Sequence, residues 1–400
     1  MAITNICKAI ECTGCGVCSQ VCPMHAIAMK ENEEGFRYPV IDVQKCIDCE
    51  QCIRRCPMNF ALSKHELSEF YIGWHHSEEI LRNSSSGGAF TAIAEYVLER
   101  NGVVFGAVLD FVTREVQHQP AYNRNELAAL CMSKYYQSRV ETAYPQVKQL
   151  LKEEKLVLFV GTACQIGALY SYLENCDQTN LITVDVLCHG VASKKVIDAY
   201  LASQQKRFHK EIKSFSFRVK EGKKGWQRGG GTRMHLSFAD GTDYVAEGPY
   251  DTFFLGFNNN FFLRESCYCC KYCGVKRVAD FTLADFWGGK REDIPSEQMW
   301  LGVSLVLFNS SKSKGIRKEL EKNMVLISIN AEEAIPFNRA LSEPQERPEN
   351  RDRFFSSMEK IGYFKTIERA FPKRFLKFRL KNFLKKVLPY AVAKKIMKNI

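Results

Sequence analysis

The 400-residue sequence predicts a multidomain chain of mixed class: an α+β head, an α/β body and a helical, basic C-terminal tail. Three observations predict it. A four-cysteine run is duplicated near the start, strand, loop and helix patterns alternate twice in the middle, and a basic amphipathic segment ends the chain. The length favours two or three domains rather than one core. The expected boundaries are 1–62, 63–335 and 336–400.

The first run places Cys12, Cys15, Cys18 and Cys22 before Pro23, and the second places Cys46, Cys49, Cys52 and Cys56 before Pro57. Each is a C-x2-C-x2-C-x3-C-P pattern, the spacing with which bacterial ferredoxins hold [4Fe–4S] clusters. In two-cluster ferredoxins the cysteine before the proline reaches across to the other cluster. One cluster is therefore expected on Cys12, Cys15, Cys18 and Cys56, and the other on Cys46, Cys49, Cys52 and Cys22. Zinc would use four ligands, usually as two separated pairs, and does not call for the duplication. Disulfides suit small secreted domains, and no secretory segment is evident. A ferredoxin-like head with two clusters is the expectation.

No apolar stretch approaches the roughly 18 to 20 residues that cross a bilayer. Thiolates on iron imply a reducing compartment, so a cytoplasmic protein is expected, in surroundings with little oxygen. The net charge of +11 is not spread over the chain. From Arg369 to Ile400 there are eleven Lys and Arg and no Asp or Glu, and the remainder balances at 45 against 45. The main body thus lacks the basic excess of a nucleic-acid binder, and no nucleic acid is expected as a partner.

In the body, Phe70 to Trp74 reads as a strand. Asn83 to Gly88 then precedes Phe90, Ile93, Ala94, Val97 and Leu98 at helical spacing, with a strand returning at Val103 to Leu109. A Ser/Gly loop opening a helix suits a phosphate, and a plain helix cap is the competing reading. Lys155 to Val160 is a buried strand, Gly161 to Gln165 a tight loop, and Ile166, Leu169, Tyr170 and Leu173 a helix face. Leu181 to Leu187, Cys188 to Gly190 and Ser193 to Ser203 repeat that order. Parallel strands in such units present ligands at their C-terminal ends. Cys164 and Cys188 occupy equivalent loops, and a helix N-terminus favours the thiolate.

From Ile212 strands dominate, with a hairpin expected about Asp240 and Gly241. Lys223 to Arg233 reads as a basic loop. Cys267, Cys269, Cys270 and Cys273 then crowd into seven residues, so a third cluster would draw two ligands from the loops and two from this segment. Cys7, Cys131 and Cys176 have no partners at motif spacing and read as structural. Trp300 to Leu307 is expected as a strand and Pro336 to Arg353 as a linker. In the tail, Leu376, Leu380, Phe383, Leu384 and Val387 form an apolar stripe opposite Lys and Arg. That suits an anionic membrane surface; an acidic partner groove and a helix packed on the body are the alternatives.

Ser85 to Gly88, Ser133 to Ser138, Gly161 to Ile166, Cys188 to Gly190 and Cys267 through Gly288 carry a resemblance. From about Phe70 to Leu307 the chain resembles the beta subunit of coenzyme F420 hydrogenases and dehydrogenases, fused behind the ferredoxin-like head. The resemblance implies an α/β flavin-binding domain with a mixed sheet and a [4Fe–4S] cluster beside the flavin, FAD or FMN. Carried over by position, Ser85, Ser86, Gly87, Gly88, Lys134, Tyr135, Gln137 and Ser138 would line the flavin pocket. Cys164, Cys188, Cys267 and Cys270 would hold the cluster, with Cys269 and Cys273 as extra thiols beside the expected pair. The tail lies outside the resemblance.

The function expected is an iron–sulfur flavoprotein oxidoreductase that relays single electrons through the clusters to a flavin and on to a two-electron acceptor. That acceptor would be F420-like or another organic molecule, with surface polysaccharide synthesis as one setting. A ferredoxin or other redox partner is implied. His189, beside Cys188, is equally a proton donor and an ordinary structural histidine, and no catalytic residue is assigned. The rival is a non-catalytic electron-transfer subunit docking to a partner oxidoreductase. A tail lying on the membrane would put either at its inner face, and otherwise a cytoplasmic location is expected.

Overall fold

The computed structural model describes residues 5–61, 63–66, 68–220, 226, 233–246, 251–289 and 291–388. The basic loop expected at Lys223 to Arg233 lies almost wholly outside them, as does the chain after residue 388.

In the head, strands β1 (Ile27–Glu31) and β2 (Arg37–Ile41) form an antiparallel hairpin. Asn32 Oδ1 accepts from the Glu34 and Phe36 amides and so fixes its turn. Each cysteine run wraps round a single helical turn, Val17–Gln20 in the first and Gln51–Arg54 in the second. The residue before each turn is left-handed: Gly16 at φ +75° and Glu50 at φ +56°. Glu50 faces solvent, but at Gly16 a Cβ would meet Glu141 Cβ at 2.7 Å, so only glycine suits the docked copy.

That docking is extensive. Arg37 pairs with Glu141, Tyr144 Oη donates to Cys15 O, and Ser171 Oγ donates to Arg55 O. Val17 shares one buried cluster with Tyr144, Val147 and Phe159 of the body.

The body is built on a mixed eight-stranded sheet. Its strands are β3 (Glu69–His75), β4 (Val103–Leu109), β5 (Val116–Ala121), β6 (Val157–Thr162) and β7 (Leu181–Val186), then β11 (Phe281–Asp285), β12 (Ser304–Phe308) and β13 (Met324–Ile329). Between them in sequence, β8 (Ile212–Ser216), β9 (His235–Phe238) and β10 (Asp243–Val245) make a separate antiparallel sheet, turning at Asp240-Gly241 as expected. The large sheet runs β13-β3-β12-β11-β7-β6-β4-β5. Its centre, β4, β6, β7 and β11, is parallel, and antiparallel strands flank it on both sides. Helices cover both faces of that centre, which is why Val157 to Phe159 and Leu181 to Val184 are apolar or fully buried without alternation.

Two sequence expectations change. Trp300 belongs to a helix, Ser296–Leu301, and β12 starts only after Gly302, whose φ of +110° breaks the run. The expected linker at 336–353 is packed rather than free in its later part. Arg351, 1% exposed, is paired with Glu34 and Glu265. The helices that follow, Arg351–Ile361 and Tyr363–Ala370, bury Phe354, Phe355, Met358, Tyr363 and Ile367 against Phe253 and Phe262. The final helix, Pro372–Val387, forms as expected and leaves Leu376, Leu380, Phe383 and Val387 exposed. Among the described residues no helix is long and apolar enough to cross a membrane.

Candidate functional site

Three cavities are lined by cysteines, and two of them share lining residues with one large cavity. The first, of about 340 Å³, is lined by Cys12, Cys15, Cys18 and Cys56 together with Pro57 and Met58. The second, also about 340 Å³, is lined by Cys22, Cys46, Cys49 and Cys52 between Ile27 and Ile41. The fourth cysteine of each run thus closes the other run's cavity, because the two single-turn helices pack against each other.

Cys7, read from the sequence as structural, also lines the first cavity. Its thiol hydrogen-bonds Cys12 and Cys56, and with the Arg264 guanidinium nearby this holds Cys12 below the ordinary thiol range. Burial pushes Cys15 up to about 12. A buried thiol without a positive neighbour keeps its proton, and iron supplies the charge that removes it.

The third cavity, of about 740 Å³, brings together Cys164, Cys188, Cys267 and Cys270 with Cys269 and Cys273. Cys164 lies in the first turn of helix Ala163–Tyr172, which Thr162 and Gln165 cap reciprocally. Cys188 follows β7 in a loop that needs Gly190: at φ +148°, a Cβ there would meet Leu263 Cδ1 at 2.7 Å. Cys267 rides on the short helix Glu265–Tyr268.

The segment after it is held by Arg277, which donates to Tyr272 O and pairs at 2.9 Å with Asp185 of β7, both side chains nearly or fully buried. Burial pushes Cys164 and Cys267 up to about 12. A hydrogen bond from Cys273 holds Cys270 low. Cys269 is exposed and directs its thiol to Ile10 O. Among the described residues no group of three or more His, Cys, Asp or Glu is arranged to hold a metal ion.

The large cavity, about 2390 Å³ of open space, lies at the C-terminal ends of β6 and β7, where ligands of parallel sheets bind. Cys164, Cys188, His189 and Gly190 line both it and the third cavity. Of the residues expected round a flavin, Ser85, Ser86, Gly88, Lys134, Tyr135, Gln137 and Ser138 line it. Gly87 sits just behind: its amide donates to Ser304 Oγ, and a Cβ would meet Gly73 O at 2.4 Å.

Gly88, at φ +79°, opens helix Ala89–Leu98 toward the space. Two of the expected polar groups are engaged elsewhere. The Lys134 ammonium donates to Ala129, Leu130 and Cys131 carbonyls, capping helix Arg124–Leu130, and burial lowers its pKa to about 8. The Gln137 amide donates to Thr13 O and accepts from Arg264.

Arg218 and His118 also line the large cavity and carry no sequence signal. Arg218 is buried and pairs with Asp285 at 2.7 Å, whose other oxygen accepts from Trp226. Trp226 stacks on Trp287 at 4.7 Å. Burial lowers the His118 pKa to about 4. Its Nε2 meets Val160 O at 2.9 Å, leaving Nδ1 buried without a partner, an acceptor that fits a donor from a bound molecule. The turn of small residues at a helix start, the apolar walls and this orphaned nitrogen fit a nucleotide-bearing flavin.

Three family models match parts of the chain. Residues 154–334 match the C-terminal family model of the coenzyme F420 hydrogenase/dehydrogenase beta subunit, and residues 70–144 match its N-terminal counterpart. Residues 11–60 match a 4Fe-4S dicluster domain. One of the subunits of the F(420)H(2) dehydrogenase of Methanosarcina mazei is 23% identical over 211 residues, 49% of this chain and 59% of that protein. An uncharacterized ferredoxin of Methanocaldococcus jannaschii is 39% identical over 64 residues, 16% of this chain and 82% of that one. A chain in the F420-reducing [NiFe] hydrogenase complex of Methanosarcina barkeri aligns with a TM-score of 0.47 at 16% identity, covering 75% of this chain and 93% of its own.

Proposed function

The chain belongs to the family of coenzyme F420 hydrogenase/dehydrogenase beta subunits, with a dicluster ferredoxin domain ahead of the family's own region, and from that premise we propose an iron–sulfur flavoprotein oxidoreductase. The observation that carries the reading is the continuity of the cavities. Thr13 lines the first, the third and the large one, and Cys164 and Cys188 stand in the wall between the last two. Single electrons entering the head would thus meet sulfur at each step until they reach the large cavity.

In this reading Cys12, Cys15, Cys18 and Cys56 hold one [4Fe–4S] cluster, Cys22, Cys46, Cys49 and Cys52 a second, and Cys164, Cys188, Cys267 and Cys270 a third. A flavin, FAD or FMN, would supply the exchange between single electrons and a hydride equivalent, which no side chain performs. The chain's residues bind and orient it. Ser85 to Gly88 present the N-terminus of helix Ala89–Leu98 to a phosphate, and Tyr135 and Ser138 shape the wall. Lys134 and Gln137 contribute by fixing the loop between them, since their polar ends are already held. With a flavin bound, the large cavity would also have to admit an organic two-electron acceptor, F420-like or of another class such as a nucleotide sugar, to take up the two electrons and one proton.

Anaerobic reconstitution followed by iron, sulfide and flavin analysis tests this. The reading expects about three clusters for each flavin. Clusters without flavin would instead identify an electron-transfer subunit that docks to a partner oxidoreductase. The acceptor is found by supplying reduced ferredoxin and screening F420, nicotinamides and nucleotide sugars.

The tail adds a location. Helix Pro372–Val387 leaves Leu376 68% and Phe383 60% exposed on a chain end with no acidic residue after Glu368. We place it on the anionic inner face of the cytoplasmic membrane. Deleting residues 369–400 should abolish sedimentation with anionic vesicles, and unchanged binding would refute the placement.

A further inference from the structure

Among the described residues, Arg218, Arg264, Arg277 and Arg351 are each at most 4% exposed, and one differs from the rest. Arg218 is paired with Asp285, Arg277 with Asp185, and Arg351 with Glu34 and Glu265. Arg264, 1% exposed, has no carboxylate within ion-pair distance among the described residues. Its guanidinium donates from Nε to Cys12 O at 2.7 Å, from Nη1 to Gln137 Oε1 at 3.0 Å, and from Nη2 to Arg37 O at 3.0 Å. Nη2 also faces Cys12 Sγ at 3.8 Å, and the ring of Tyr38 lies 4.2 Å from the guanidinium carbon. A buried cation without a counter-charge is strongly disfavoured. Among the described residues no carboxylate pairs with it, and the thiol it faces is that of Cys12.

We propose that Arg264 is a positioning residue for electron transfer whose missing counter-charge is the anionic cluster held by Cys12, Cys15, Cys18 and Cys56. The inference rests on the cluster reading above. Reduction adds one electron to a cluster that is already negative, and a nearby fixed cation stabilises the reduced form more than the oxidised one. Arg264 therefore raises the potential of this cluster above the value it would have without the cation.

The same residue also faces inward. Its amide donates to Val191 O, just beyond Cys188, its carbonyl accepts from the Cys267 amide, and its side chain lines the third cavity. The charge thus draws an electron to the head cluster next to the third site and fixes the two sites relative to each other.

EPR-monitored redox titration of the full chain, with iron counted, tests this on wild type, Arg264→Lys and Arg264→Gln. The expected result is a downward shift of one head-cluster potential in Arg264→Gln, the other head cluster unmoved, and a potential near wild type in Arg264→Lys. Unchanged potentials in Arg264→Gln, equal shifts in both variants, or both head clusters moving together would overturn the proposal. If Arg264→Gln loses that cluster's iron while Arg264→Lys keeps it, charge is still the property that matters. Loss in both would mean that shape decides and would reject the role. Wild-type protein without iron would overturn the cluster reading itself, so the two failures are told apart.

Discussion

The head and the third cysteine set gather their thiols by opposite means. In the head, eight cysteines sit on two short runs, and packing one helical turn against its repeat closes both cavities. The third set comes from the ends of two parallel strands and from a segment that follows much later in the chain, so the sheet must first be correct. Local spacing fixes the one, and long-range pairing fixes the other. Damage to the sheet should therefore empty the third site while leaving the head filled.

The sharpest break is Arg277→Ala. It strands Asp185 as a fully buried, unpaired carboxylate and frees the segment that carries Cys270. The expected cost is about 3–5 kcal/mol in thermal or denaturant unfolding, with one cluster's iron lost and both head clusters kept. Retention of all iron at wild-type stability would remove the distinction. Next comes Gly87→Ala, whose methyl would press on Gly73 O and the Ser304 amide. It should cost about 1–3 kcal/mol and lower bound flavin without touching the head's iron.

Within the third site, Cys267→Ala should abolish one cluster signal, whereas Cys269→Ala, at an exposed thiol turned toward Ile10, should leave all of them. A further effect is a pH limb. His118 has its pKa lowered to about 4 by burial, so below its ordinary 6.5 the unfolded chain takes up a proton that the folded one refuses. Stability should fall as pH drops from about 6.5 to about 4, and His118→Gln should flatten that limb.

The same contrast decides what was legible in the sequence. Cysteine spacing within each short run needs no tertiary information, and neither does the period of helix Ala89–Leu98 or the Asp240-Gly241 turn. Cys7 carries no such spacing; the 3-10 turn Ala9–Glu11 folds it back onto Cys12 and Cys56. Arg264 and Arg218 carry no sequence signal because burial of an arginine depends on partners far away in the chain. The segment at 336–353 reads as a linker by its polarity, yet Arg351 reaches the head's Glu34 and draws the next two helices into the core. Gln137 was assigned to a pocket wall and does line it, but its amide stitches the head to the body.

The central claim is that electrons pass from the head through the third site into the large cavity. Stopped-flow mixing of reduced ferredoxin with anaerobic wild type and with Cys267→Ala, followed at flavin and cluster wavelengths, tests it most directly. Wild type should show cluster reduction followed by flavin bleaching, and Cys267→Ala should show head-cluster reduction with the flavin left oxidised. Flavin bleaching in Cys267→Ala at the wild-type rate would contradict the route.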